Sequence, residues 1–140
     1  MWPTDPTTSQ TGRWFDLADG HVEAAVPVRA LSVAQEFYEG AVGLRPSGSH
    51  TPGVDVVYEC GDGTRLMLYE WPGPRTHGQT VAHVVVPDVA DTVRELRSRG
   101  IEFDEYDTSR LRTIDGVATI GDRHYAWFHD PDDNVIGIHD

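Results

Sequence analysis

One order of elements occurs twice in this chain of 140 residues, and it leaves few folds open. Residues 22–28 (Val-Glu-Ala-Ala-Val-Pro-Val) read as a strand, and Pro27, which lacks an N–H, belongs near an edge or a strand end. Leu31, Ala34, Phe37, Tyr38 and Val42 then recur at helical spacing. Ser32 with Gln35 makes a capping box for that helix, and Gly43 is placed to end it. A short strand is predicted at 44–47 and a Gly-Ser-His-Thr-Pro-Gly loop at 48–53. Strands at 54–60 and 64–69 are joined through Gly61-Asp62-Gly63. After a Pro- and Gly-rich linker at 71–79 the order begins again. A strand at 80–86 is followed by a helical stripe of Val89, Val93 and Leu96, which Gly100 stops. Strands follow at 101–106, 117–120, 123–129 and 134–139, with a long loop at 107–116 inside the series. A β-α-β-β-β unit repeated at a period of about sixty residues predicts an α+β fold of two pseudo-symmetric βαβββ modules. The modules fall at 21–70 and 80–140 within one domain. Residues 1–20 have no periodicity and read as a mobile arm, in which Trp14 and Phe15 are the side chains able to dock on the domain or on a second subunit.

Charge and cysteine content narrow the partners. The net charge of −12, from 11 basic and 23 acidic residues, repels a phosphate backbone, so nucleic acid is not an expected partner. No apolar run is long enough to span a membrane, and the first residues carry neither the basic nor the apolar stretch of a secretory signal. Cys60 is the single cysteine. It excludes an internal disulfide, fits a reducing cytoplasm, and reads as a small half-buried strand residue. No Gly-x-Ser-x-Gly elbow and no Gly-rich phosphate loop is present, so neither a serine hydrolase nor a nucleotide site is indicated. His21, His50, His77, His124 and His129 have no metal-ligand spacing among themselves.

The last fourteen residues form a hairpin by composition. An aromatic strand enters Asp130-Pro131-Asp132-Asp133-Asn134 and an apolar strand leaves it. Together with Val28-Arg29-Ala30-Leu31, Phe37-Tyr38-Glu39 and Val42-Gly43-Leu44, this hairpin resembles the vicinal oxygen chelate superfamily. That superfamily contains glyoxalases, bleomycin-resistance proteins and extradiol dioxygenases. The resemblance covers about 120 residues, all but the arm. Its final hairpin usually reads Asp-Pro-Asp-Gly-Asn. Asp133 stands where glycine is usual, and Asp tolerates the left-handed backbone required there.

The resemblance implies paired modules whose mixed sheets curl into a cup. In metal-dependent members four His, Gln or Glu side chains line that cup and hold a divalent ion for a bidentate substrate. Here the corresponding positions are Glu23, Leu66, Val81 and Gly137. Only Glu23 is a metal donor, so no metal and no cofactor is expected, and the chain resembles a subgroup without the usual ligands. His83 and His139 lie two residues from the lost positions and on the same strand faces. Glu23 and His83 are therefore the candidate catalytic residues, as a proton-transfer couple across the cup. Tyr58, Leu66, Val81, Tyr125, Trp127 and Gly137 are the expected ligand-binding wall.

Three functions remain open on these residues. The first is metal-independent binding of a small aromatic or apolar molecule, as in a sequestering or resistance protein. The second is a metal-free isomerase, epimerase or lyase using Glu23 and His83. The third is a divalent-metal lyase or dioxygenase with displaced ligands. The resemblance also implies a homodimer.

Overall fold

The computed structural model describes residues 16–74 and 78–140. Trp14, Phe15 and most of the N-terminal arm lie outside the described residues. The elements in order are β1 (Glu23–Val28), helix α1 (Leu31–Gln35) continued by a π-helical stretch (Glu36–Ala41), β2 (Pro46–Gly48), β3 (Asp55–Glu59) and β4 (Arg65–Glu70). They are followed by β5 (Thr80–Val85), α2 (Val89–Ser98), β6 (Thr113–Ile114), β7 (Val117–Ile120), β8 (Arg123–His129) and β9 (Val135–His139). The fold is α+β with two mixed sheets, one four-stranded in the order β1-β4-β3-β2 and one five-stranded in the order β5-β9-β8-β7-β6. Neither sheet closes on itself. Among the described residues β1 pairs only β4, in parallel, so Pro27 sits on an edge strand where its missing N–H is tolerated. β5 pairs β9 in parallel in the same way, and β1 and β5 adjoin where the two sheets meet.

Strand alternation divides each sheet into a core face and an opposite, more open face, which is itself covered at Asp55, Val57 and Val135. Val26, Val28, Tyr58, Leu66 and Leu68 of the first sheet share one apolar core with Ala126, Phe128, Ile136 and Ile138 of the second. The helices cover that core with Leu31, Ala34 and Tyr38 from the first half and Val89, Val93 and Leu96 from the second.

Two expectations change on this frame. The strand expected at 101–106 is reduced to an isolated bridge, Phe103 to Phe128, and a bond from Asp104 N–H to the Trp127 carbonyl. The loop expected at 107–116 instead contains β6, which pairs β7 across an Asp115-Gly116 turn with both residues at positive φ. Asp-Gly with two left-handed residues is the signature of a tight hairpin, and that dipeptide was the available signal.

The final hairpin joins the two halves. Asp130 is 5 % exposed. Its Oδ2 accepts from the Tyr38 hydroxyl and from Asn134 Nδ2, each at 2.8 Å. Its Oδ1 accepts from the N–H groups of Asp132 and Asn134. Asn134 Nδ2 also donates to the Pro27 carbonyl, and Asp132 Oδ1 accepts from Arg29 N–H. Asp133 has φ +64°, the left-handed backbone its position in the motif requires.

Candidate ligand-binding face

The open face of the second sheet carries a row of rings. β8 alternates Tyr125, Trp127 and His129 with the buried Ala126 and Phe128. The register sets Trp127 beside Gly137 and Gly137 beside His83, and sets Tyr125 beside His139. Tyr106, from the segment before β6, meets Trp127 edge-on at 5.6 Å between ring centroids. Trp127 and Tyr125 lie 6.1 Å apart and parallel within 8°. Tyr125 is 5.5 Å from His139, and His139 is 5.4 Å from His83. The parallel Trp127 and Tyr125 rings suit a planar molecule, while Tyr106, His139 and His83 are turned across the row and supply ring edges and polar nitrogens.

Gly137 sets the His83 end of the row. A Cβ there would stand 2.7 Å from His83 Nδ1 and 3.3 Å from Trp127 Cδ1. The ring of His83 thus occupies the room a side chain at 137 would need. Partial burial, and then repulsion by the neighbouring His139 imidazole, hold the His83 pKa below the ordinary histidine value.

The opposite end is polar. His129 Nε2 lies 2.8 Å from Asp104 Oδ2, and its Nδ1 lies 2.5 Å from Asp133 Oδ1. Burial works against protonation of His129, but the bonds to Asp133 and Asp104 outweigh it and raise its pKa. The Tyr106 hydroxyl also points to Asp104, and its pKa is raised by burial first and by that carboxylate second.

On the first sheet, Glu23 pairs with Arg65 in register, so Glu23, Arg65 and Met67 share the open face. Leu66 faces the other way with Ala24 and is buried in the core, where Tyr58 lies beside it with its hydroxyl donating to Glu39. Leu66 and Tyr58 are therefore core residues and not lining of the open face. Strand parity has period two, and a register offset of one residue exchanges the faces. Val81 lies within a register shift between Thr80 and Ala82 and packs against the core, so alternation does not carry it onto the face of His83.

Glu23 and His83 are not brought together as a couple. The Glu23 carboxylate is engaged by His50, whose Nε2 lies 3.1 Å from Oε1 and 3.3 Å from Oε2. The structure thus gathers His83, Tyr125, Trp127 and Gly137 on one face and adds Tyr106, His139 and His129. His139 was readable by parity from Gly137. Tyr106 and His50 reach their places through loops, which leave no periodic signal.

The residues present do not fit the metal site implied for the cup. Of its four positions, Leu66 is in the core, Val81 is apolar, Gly137 has no side chain, and Glu23 alone carries a donor. Among the described residues, no group of three His, Cys, Asp or Glu side chains converges as a metal ion would require. Cys60 is half-buried, and burial raises its thiol pKa, which is the opposite of a reactive thiolate.

Residues 19–138 match the profile of the Glyoxalase/Bleomycin resistance protein/Dioxygenase superfamily, and the chain belongs to that family. Solved structures agree in fold. A glyoxalase/bleomycin resistance protein from Catenulispora acidiphila DSM 44928 is 19 % identical, with a TM-score of 0.63 over 85 % of this chain and 96 % of that one. The fosfomycin resistance protein FosX from Listeria monocytogenes is 12 % identical, with a TM-score of 0.63 over 86 % and 92 %. TnmS3, an antibiotic binding protein from Streptomyces sp. CB03234, is 25 % identical, with a TM-score of 0.55 over 86 % and 95 %. No curated protein matches the chain in sequence. Among the described residues no helix is long and apolar enough to cross a membrane.

Proposed function

We propose that this protein binds a small, planar, largely apolar molecule against the ring row of the second sheet, without a metal, and holds it unchanged. The observation that carries this reading is the row itself, from Tyr106 through Trp127, Tyr125 and His139, all half-buried, to the exposed His83. Large aromatics are usually buried in cores, and five rings in sequence on an open face supply stacking area that the core does not use. The likeness to an antibiotic binding protein at 25 % identity supports a sequestering role. The protein acts as a homodimer in the cytoplasm, where Cys60 stays a thiol.

The test is a fluorescence titration with acridine, a planar three-ring probe. Saturable binding should persist in the presence of a chelator, and acridine should be recovered unchanged. Trp127→Ala should weaken binding about three- to tenfold, the worth of one aromatic contact. Absence of saturable binding to acridine and to other fused-ring aromatics, or binding indifferent to Trp127, would overturn the reading.

A further inference from the structure

We infer that Glu23 is the polar recognition point of this binding face, that His50 is a gate occupying it in the free protein, and that the preferred ligand is a planar aromatic cation with N–H donors. The inference rests on the reading above and adds the ligand's charge and the means of its admission.

β1 and β2 form opposite edges of the first sheet, three strand spacings apart, or about 14 Å. His50 belongs to the segment that follows β2, yet its imidazole meets Glu23 on β1. The segment itself therefore turns back over the sheet and carries the imidazole inward. A void of about 180 Å³ lies beneath, between residues 47–50 and Val57, Glu59 and Arg65 of the sheet. The backbone beneath the gate is fixed. Asp55, 5 % exposed, accepts from His50 N–H at 2.7 Å through Oδ1 and from Thr51 N–H at 3.0 Å through Oδ2. What remains free to move is the imidazole, whose side chain is 51 % exposed against 25 % for Glu23. Rotation about the side-chain bonds of His50 uncovers the carboxylate without moving the chain.

Among the described residues no arginine pairs with Glu23. Arg65 stands directly across from it in register, but its guanidinium turns to Glu59, at 3.8 Å. The carboxylate is thus half-buried on the edge strand that adjoins β5, and its partner among the described residues is the exposed His50 imidazole. An N–H donor of an aromatic cation would replace that partner with a charge-assisted bond. A side-chain contact as exposed as this holds the gate shut by no more than about fivefold, so a ligand opens it at little cost. The net charge of −12 draws such a cation toward the protein.

The experiment compares 9-aminoacridine, a cation at pH 8, with acridine, its neutral counterpart, on the full chain. The native protein should bind 9-aminoacridine at least about tenfold more tightly. E23Q should erase that preference and leave acridine binding in place. H50A should tighten 9-aminoacridine binding, by up to about fivefold. Equal affinities in the native protein, or an H50A loss as large as that of E23Q, would overturn the inference. If acridine binds through Trp127 while E23Q and H50A leave 9-aminoacridine unaffected, the inference falls and the ring-row reading stands. A probe-free arm covers the case in which neither compound binds and the ring-row reading itself fails. Diethylpyrocarbonate should modify His50 several-fold faster in E23A, read by peptide mass spectrometry, because Nε2 is released. An unchanged rate there overturns the gate.

Discussion

Both carboxylate oxygens of Asp130 are fully engaged, by the Tyr38 hydroxyl, by Asn134 and by two backbone N–H groups. Tyr38 is 1 % exposed, and burial, followed by the Asp130 charge, drives its hydroxyl pKa up, so it stays protonated and donates. Asp130→Ala strands that buried donor and frees the hairpin turn. We expect a loss of about 3 kcal/mol or more, read from the urea midpoint at unchanged slope. Gly137 makes a different residue-scale prediction. In Gly137→Ala the new methyl displaces the His83 ring, because a Cβ would lie 2.7 Å from its Nδ1. The His83–His139 contact should then part, and the His83 pKa, now depressed by burial and by His139, should rise toward 6.5 in a histidine NMR titration. An unmoved titration would mean that Gly137 does not set the ring's place.

At the scale of elements, the two helices begin differently. α2 carries its own cap, the Asp88 side chain accepting from Asp91 N–H at 2.9 Å, and its stripe of Val89, Val93 and Leu96 is legible in the sequence. α1 does not use the capping box suggested by Ser32 and Gln35. Ala30 occupies the N-cap, and Leu31 N–H donates instead to Glu70 Oε2 at 2.9 Å, from the end of β4. Ser32→Ala should therefore change stability by only a few tenths of a kcal/mol, whereas Glu70→Ala should cost about 1 kcal/mol. The reverse ranking in chemical denaturation would show that the local cap prevails. A side chain 39 residues away cannot be assigned as a cap by any local rule, which is why this contact was hidden. The edge position of Pro27, by contrast, followed from the missing N–H alone.

For the whole molecule, His129 links pH to stability. Its pKa is raised in the folded state, with burial opposing the shift and the bonds to Asp133 and Asp104 producing it. A raised folded pKa means that protonated His129 favours the folded state. Its contribution is complete below the unfolded histidine value of about 6.5 and is lost as pH rises through the higher folded value. The urea midpoint of the native protein should fall more between pH 6 and pH 9 than that of His129→Gln. Parallel curves would remove the link. Assembly belongs to this scale too. The open faces stay accessible in one chain, with Val85 beside the ring row 69 % exposed. We expect a dimer by light scattering at micromolar concentration, and a monomeric mass would count against it.

The sequence alone determined the duplicated order of elements, the α+β class, the family and the turn at Asp133. All of these rest on local periodicity, on residues that tolerate particular backbone angles, or on short motifs. It also placed His83, Tyr125, Trp127 and Gly137 in one region, because parity along a strand is local. Only the tertiary structure decided the faces of Tyr58 and Leu66, since these depend on the register between β1, β3 and β4. The register shift that turns Val81 toward the core is likewise a property of the pairing with β9. The partner of Glu23 was beyond the sequence for a related reason. His50 reaches it from a loop with no period of its own, over 27 residues and across the sheet. The Asp130 hub likewise spans 92 residues to Tyr38, and the sequence held its motif without its purpose. Contacts between elements depend on how sheets dock, and docking is settled by the whole core at once.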